Sequence, residues 1–368
     1  MLPTWPLVSV IVTNYNYAQY IEATINSVLA QDYPNFECIV IDDCSNDDSF
    51  EVINKYAARI RDPRLRHIRL GANLGQMGAM SAGFENSSGD FIHFVDADDL
   101  LMPNFLSVHI AAHLNSSFSA SLTASDTIQI GDRGQILEGT FHATVKHRSD
   151  IANALIKPVL RESIPEIVRG RLAYAPPRET PIHYVDRALD GWHGVATTAF
   201  VFRRDVIDAI LPSRVESMRI CADYYFVKFA HCLGGTLVIG RALSFFRLHK
   251  KNNFSSNGVI GGPHSPATVA PGGFHSIEKQ IGAHLLANIN KMSGLIGMEY
   301  CLVLIRKTHN RLEIYEASKD SSLLKSRIGG GKEWLFDLKL KAMRRFYWPA
   351  RRASQRISKV KSFLRRLR

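Results

Sequence analysis

Cysteine is scarce in this chain of 368 residues: Cys38, Cys44, Cys221, Cys232 and Cys301 are scattered, odd in number and contain no C-x-x-C pair. Such a set excludes a disulfide framework and a structural zinc site, and it points to a reducing compartment. Long apolar runs are missing as well. The most apolar late stretch, Met292 to Ile305, has 14 residues and contains Glu299, which makes it too short and too polar to cross a bilayer. The opening MLPTWPLVSVIV lacks a basic n-region and a small-residue cleavage site, so it does not read as a signal peptide. Phosphate cradles are absent too, with no G-x-G-x-x-G after the first apolar run and no G-x-x-x-x-G-K-[ST] anywhere. A nucleotide bound here would therefore need a metal for its diphosphate.

Charge is plentiful but uneven. The net +11 divides into a local +13 over residues 321–368 and −2 over the first 320 residues. A nucleic-acid groove needs its Lys and Arg on the folded body, so no nucleic-acid partner is expected. A near-neutral body with an appended basic tail suits an anionic surface better. At 46% hydrophobic the chain can bury a sizeable core.

Along the first hundred residues, short apolar runs alternate with helical periodicity. Leu7 to Val12, Phe36 to Ile41, His67 to Leu70 and Phe91 to Val95 read as strands. Helical spacing links Ile21, Ile25, Val28 and Leu29, then Phe50, Ile53, Ala57 and Ile60, and a Gly- and Ala-containing segment runs from Gln76 to Phe84. Strands separated by amphipathic helices imply βαβ units and a parallel sheet covered on both faces. A helix near Phe105 to Leu114 and a strand near Ala120 to Ile130 follow, then Gly191 to Arg204, Arg219 to Leu233 and Leu237 to His249 carry further structure. Gly258 to Gly273 reads as a linker or loop and Ile281 to Glu316 as helical.

Polar residues fall where these strands end: Thr13 to Asn16, Asp42-Asp43, Asn73-Leu74-Gly75, and Asp96-Ala97-Asp98-Asp99. In an open α/β sheet, ligands bind beyond the carboxyl ends of the strands, so all four clusters are expected on one rim. Asp96 and Asp98 offer the hard oxygen ligands that suit Mg²⁺ or Mn²⁺, although Asp98 and Asp99 could instead cap the next helix. Asp42-Asp43 could accept from a base or a ribose, or cap a helix beginning near Asp47. Asn73-Leu74-Gly75 permits close backbone approach to a ligand or forms a plain turn. Asp223, among apolar and aromatic neighbours, suits a general base with a raised pKa or a helix cap. His249 could ligate metal or phosphate, or simply end a strand.

Taken in order, VSVIVTNYNYAQYIEATINSVLAQDYPNFECIVIDDCSNDDS, NLGQMGAMSAGF, GDFIHFVDADDLLMPNF, GVATTAFVFRR, ADYYF and FFRLHKKNNFSSN resemble the family 2 inverting glycosyltransferases of GT-A fold, over about Pro6 to Asn257. The resemblance implies an α/β fold, with a GT-A-type nucleotide-binding sheet flanked by helices and a C-terminal helical, basic extension. The implied organisation is a transferase domain over 1–257, with a nucleotide-sugar half over 1–103 and an acceptor half over 104–257. A linker over 258–273, a helical segment over 274–320 and a basic tail over 321–368 complete it. Thr13, Tyr15, Asn16, Asp43, Asn73, Gly75, Gln76 and Asp96 fall at the family's nucleotide-binding positions, Asp98, Asp96 and His249 at its metal positions, and Asp223 at its catalytic base. The implied cofactor is Mg²⁺ or Mn²⁺, and the implied partners are a nucleoside-diphosphate sugar, a UDP-sugar foremost, and a glycan or lipid-linked acceptor.

The sequence also departs from that pattern. Position 222 is Ala where the family often has an acid, Met80-Ser81 replaces a common Arg-Asn pair, and the Q-x-x-R-W signature of processive synthases is missing. Transfer of one sugar is expected rather than polymer extrusion. A non-catalytic sugar-nucleotide-binding relative and a nucleotidyltransferase remain as alternatives. In the tail, Leu335, Leu338, Ala342 and Phe346, and then Ile357, Val360, Leu364 and Leu367, keep helical spacing between basic residues, with Pro349 dividing the two pieces. Such helices lie on an anionic membrane surface, which implies a cytoplasmic protein peripheral to the inner face of the membrane, unless the tail packs on its own domain.

Overall fold

The computed structural model describes residues 4–138, 156–158, 180–189, 194, 196–213, 218–250, 252, 273–319 and 321–324. The expected linker over 258–273 lies outside the described residues except at its last position. The basic tail lies outside them beyond position 324.

The chain divides into two compact units. The first holds residues 1–147, 157–187 and 191–270, and the second holds 148–156, 188–190 and 271–368. The first is built on strands β1 (Val8–Asn14), β2 (Phe36–Asp42), β3 (Leu65–Arg69) and β4 (Phe91–Asp96), with helices α1 (Ile21–Leu29), α2 (Ser49–Ile60) and α3 (Gly75–Glu85) between them. After these come β5 (Leu100–Leu101), α4 (Phe105–Asn115), β6 (Leu122–Gly131), β7 (Ile136–Glu138), β8 (Ile156–Pro158) and β9 (Ile182–Val185). A 3₁₀ turn at Thr197–Ala199 leads into β10 (Phe200–Arg203), α5 (Arg204–Ile210), α6 (Ala222–Gly234) and β11 (Thr236–Leu248). The sheet order is β3-β2-β1-β4-β10-β6-β11-β9-β8, with β5 paired to β11 and β7 to β6.

β1 pairs in parallel with both β2 and β4, and β2 with β3, as the alternating pattern requires. Both faces of β1 are covered. Val8, Val10, Val12, Cys38 and Val40 join Ile21, Ile25 and Val28 of α1 and Phe105 and Leu106 of α4 in one core. On the opposite face, a Cβ at Gly83 of α3 would lie 2.2 Å from Ile11 Cγ2, and Phe94 stacks on Phe226 of α6 at 5.4 Å.

Strand direction decides what reaches the rim. β10 runs antiparallel to β4 and to β6, while β11 runs parallel to β6. β11 therefore travels the same way as β4, and its carboxyl end arrives beside the carboxyl ends of β1 and β4. β10 starts at that edge, which places the Thr197–Ala199 turn there as well.

Among the described residues of the second unit, the helical expectation is met by four helices: α7 (Gly273–Ala287), α8 (Ile289–Ile296), α9 (Met298–Thr308) and α10 (Arg311–Lys319). Their core includes Ile277, Leu285, Met292, Cys301 and Ile305. Gly297, at φ 86°, breaks the apolar stretch from Met292 to Ile305 into two helices. Among the described residues, no helix is long and apolar enough to cross a membrane.

Candidate active site

The four polar clusters meet on one rim. The parallel register sets Asn14 opposite Asp42, Thr13 opposite Asp96, and Asp42 opposite Arg69.

At the β1–β2 end, Asp42 is the buried organiser. It accepts from Asn14 Nδ2 at 2.8 Å and from Ser45 Oγ at 2.6 Å. Asn16 holds a left-handed conformation, φ 62°, and its Oδ1 accepts from the backbone of Asn46 at 2.8 Å. Tyr15 is 39% exposed, leaving a ring face open to solvent. Asp43 does not cap the helix near Asp47. Its two carboxylate oxygens accept from the N–H groups of Leu74 at 2.7 Å and Gly75 at 2.8 Å, which fixes the start of α3. Burial raises the Asp43 pKa, and those N–H groups oppose the shift.

Asn73 donates to the Asp43 carbonyl at 3.2 Å, and its own side chain accepts from Arg219. Gly75, at φ 76°, lets Arg219 approach so closely that a Cβ would lie 2.7 Å from Arg219 Cα. Gln76 Oε1 accepts from the backbone N–H of Ala222 at 2.9 Å.

The segment after β4 turns back as β5 and pairs with β11, so Asp98 and Asp99 sit in the turn rather than on a helix. The cap of α4 is Asn104 instead. Asp98 and Asp99 are buried, while Asp96 and Asp223 are half-buried. His249 Nε2 lies 2.8 Å from Asp98 Oδ2. Thr198 Oγ1 donates to Asp99 at 2.6 Å and accepts from the Asp96 N–H at 3.2 Å. Thr197 Oγ1 donates to Asp223 Oδ2 at 3.3 Å.

Asp223 is the second residue of α6, where its own N–H and that of Tyr224 hydrogen-bond it. It thus stands in the first turn of α6, beside the acidic cluster.

These carboxylates repel one another in a poorly solvated place. Burial, then the charges of Asp98 and Asp223, push the Asp96 pKa up to about 8. Asp99 is raised well above its ordinary value by burial, then by Asp98 and Asp96. Burial likewise raises Asp223, against hydrogen bonds from Tyr224 and Thr197. Among the described residues, no three His, Cys, Asp or Glu side chains close on one point.

Asp99, Thr197, Thr198, Arg219 and Arg247 were not singled out from the sequence, yet all of them shape this site. Arg247 is buried. Its Nε donates to the Asp98 carbonyl at 2.7 Å, its N–H to Asp99 at 3.0 Å, and its guanidinium lies over the Tyr20 ring at 4.9 Å. One signal was available for it: Arg247 precedes His249 by two, the spacing that places residues on one face of a strand.

Residues 9–175 match the sequence model described as glycosyl transferase family 2. Over that segment, less than half of the chain, the sequence is similar to glycosyl transferase family 2. The matched segment contains the clusters from Thr13 to Asp99 and ends before Asp223 and His249.

An uncharacterized glycosyltransferase of Nostoc is 28% identical over 249 residues, covering 68% of this chain and 67% of that protein. The putative colanic acid biosynthesis glycosyl transferase WcaA of Escherichia coli is 35% identical over 127 residues, 34% of this chain and 45% of its own. WfaP of Escherichia coli, described as a UDP-Glc:alpha-D-GlcNAc-diphosphoundecaprenol beta-1,3-glucosyltransferase, is 40% identical over 93 residues, 25% of this chain and 36% of its own. The chain thus spans two thirds of the first of these relatives and less than half of the other two.

Proposed function

We propose that this protein is an inverting, non-processive glycosyltransferase. It uses Mg²⁺ or Mn²⁺ to move one sugar from a nucleoside-diphosphate sugar, a UDP-sugar foremost, to a hydroxyl of a glycan or lipid-linked acceptor of cell-envelope polysaccharide synthesis. The observation that carries this reading is the convergence of Asp96, Asp98 and Asp223, close enough to feel one another's charge, on the rim that His249 also reaches. The match of residues 9–175 to glycosyl transferase family 2 supports the reaction class. The activity of WfaP, a glucosyltransferase from UDP-Glc to a diphosphoundecaprenol-linked sugar, supports the donor and acceptor classes.

The residues fit a hard divalent cation. Such an ion is held by one or two protein carboxylates while substrate phosphates complete its shell, so three converging protein ligands are not required. Asp98 and His249 would hold it, with Asp96 beside them, and repulsion among the three carboxylates is the kind a cation relieves. Once bound, the ion offsets negative charge developing on the departing diphosphate.

The protein's own groups do the rest. The open face of Tyr15 stacks on the base, with Thr13, Asn16 and Asp43 around it, and Asn73, Gly75 and Gln76 wall the pocket toward Asp96, which faces the ribose. Asp223, with its pKa raised by burial, takes the proton of the acceptor hydroxyl. The acceptor oxygen then bonds to the anomeric carbon from the face opposite the leaving group. The carbon–oxygen bond to the diphosphate breaks, its electron pair leaves with the diphosphate, and the anomeric configuration inverts.

The test is incubation with a panel of UDP-sugars, Mn²⁺ and undecaprenyl-diphosphate-linked acceptors. Nucleoside diphosphate release that stops on chelation supports the reading. Pyrophosphate release would instead mean nucleotidyl transfer, and binding without turnover across the panel would mean a non-catalytic relative. The local +13 of the basic tail supports work at an anionic membrane surface on the cytoplasmic face. Truncation after Asp320 should abolish binding to anionic vesicles while UDP binding persists; unchanged vesicle binding would remove the tail from that role.

A further inference from the structure

Thr197 and Thr198 are adjacent and buried, and they direct their hydroxyls to opposite sides of the site. Thr197 Oγ1 donates to Asp223 Oδ2 at 3.3 Å, on the side given to the acceptor. Thr198 Oγ1 donates to Asp99 Oδ2 at 2.6 Å and accepts from the Asp96 N–H at 3.2 Å, on the side given to the donor. A hydroxyl has one hydrogen to donate, so each threonine is committed to one carboxylate. The division follows from the local backbone. Both residues lie in the 3₁₀ turn Thr197–Ala199, and with three residues per turn neighbouring side chains point about 120° apart.

The turn is itself held firmly. The Ala199 N–H donates to the Ala196 carbonyl at 3.0 Å, and Phe200, fully buried, pairs with Ala124 at the start of β10. Val201 and Phe202 then pair with His93 and Ile92 of β4, the strand that ends in Asp96. Asp99 carries the tie further, because its other oxygen accepts from the N–H of Arg247, two residues before His249, at 3.0 Å. Hydrogen bonds and one peptide bond thus connect Asp223, Thr197, Thr198, Asp99 and the strand end that leads to His249.

We infer that Thr197 and Thr198 are positioning residues: two neighbouring hydroxyls on one braced turn fix the Asp223 carboxylate relative to the Asp96–Asp99 turn, and so set the acceptor side of the site against the donor side. The tasks of those carboxylates rest on the transferase reading above; the ties rest on the hydrogen bonds alone.

Valine keeps the shape of threonine and removes the hydroxyl, whereas serine keeps the hydroxyl. Thr197→Val should lower kcat by roughly 10- to 100-fold, as loss of an orienting group does, with the UDP Kd in Mn²⁺ within about twofold of the parent protein. Thr198→Val should raise the Mn²⁺ concentration for half-maximal rate by roughly tenfold or more, because it loosens the turn that carries Asp96 and Asp98. Thr197→Ser and Thr198→Ser should recover most of each loss. Parental kinetics in the valine variants, or serine variants as impaired as the valine ones, would overturn the positioning role.

The ties are also judged without turnover. Thr197→Val should lower the urea midpoint of the parent protein, and by less than about half as much when Asp223 is already Ala; Thr198→Val should behave likewise toward Asp99→Ala. The Asp96 amide should exchange with solvent faster in Thr198→Val and at the parental rate in Thr198→Ser, which reads this tie even where Asp99→Ala does not fold. Equal losses in both backgrounds, or unchanged exchange in Thr198→Val, would mean that the hydroxyls do not hold these groups and would overturn the proposal. Coupled losses in a protein that transfers no sugar would leave the ties standing and count against the transferase reading alone.

Discussion

His249 Nε2 and Asp98 Oδ2 stand 2.8 Å apart although 151 residues separate them. The contact exists because β11 returns parallel to β4 and ends on the same rim, and because the β4–β5 turn folds Asp98 toward it. Asp98→Ala removes a hard oxygen ligand from a site assigned to a divalent cation. Losing a few kcal/mol of charge stabilisation amounts to a fall of roughly 10²- to 10³-fold in kcat. His249→Ala should weaken the dependence on Mn²⁺ in the same direction. Steady-state nucleoside diphosphate release across a Mn²⁺ titration checks both, and a parental Mn²⁺ dependence in Asp98→Ala would remove Asp98 from the metal.

Asp223→Asn keeps the shape of the base and removes its ability to take a proton. The expected loss is roughly 10²- to 10⁴-fold in kcat with UDP affinity retained. The sign of the pH dependence follows from the environment. A base must be deprotonated to work, and burial raises Asp223 above the ordinary carboxylate range. The acid limb of kcat/KM should therefore lie at higher pH than an ordinary Asp would give. A pH–rate profile of the parent protein measures it, and a limb at the ordinary Asp position would argue for a different base.

Much of this site was legible in the sequence because it rests on local pattern. Alternating runs fixed β1 to β4, and the polar residues at their ends had to share a rim once the strands were parallel. The roles within each pair were not legible. Asp42 and Asp43 are adjacent, yet one accepts from Asn14 and Ser45 while the other anchors Leu74 and Gly75. Which of two neighbouring carboxylates faces which partner depends on the turn that follows, and no periodicity encodes that. Thr197, Thr198 and Arg247 were missed for a related reason. Thr198 and Arg247 act through contacts with residues about a hundred or more positions away, and Thr197 through Asp223, all set by the antiparallel insertion of β10 and the return of β11.

Gly75 is the hinge of the Asn73–Gln76 segment, and its substitution has a foreseeable cost. At φ 76° a side chain is strained, and a Cβ would lie 2.7 Å from the backbone of Arg219. Gly75→Ala should destabilise the protein by about 1–3 kcal/mol. A fall in the urea midpoint with an unchanged slope would report it. A variant as stable as the parent would mean that the 73–76 and 219–222 segments separate at little cost.

Beneath the sheet, His93 and His109 stack on either side of Phe105, at 4.4 Å and 4.1 Å, while His113 packs against Phe91 at 4.8 Å. Each has one ring nitrogen near a fixed partner: the Phe200 carbonyl at 2.8 Å, Thr123 Oγ1 at 2.7 Å and the Val201 carbonyl at 3.4 Å. Burial pushes His93 and His113 down to about 3, and His109 is lowered well below its ordinary value by burial, then by the neighbouring histidines. The folded chain therefore keeps all three neutral while the unfolded chain protonates them below about pH 6.5. Their folded pKa values are depressed, so the unfolded state binds more protons and stability falls as the pH falls. Three such groups remove roughly 4 kcal/mol between about pH 7.5 and about pH 5.5, a large share of a typical domain stability. Urea midpoints measured over that range should drop steeply, and His109→Gln should reduce the slope by about a third, one proton of the three. A midpoint that stays flat through this window would mean that the buried histidines find a way to hold their charge within the folded core.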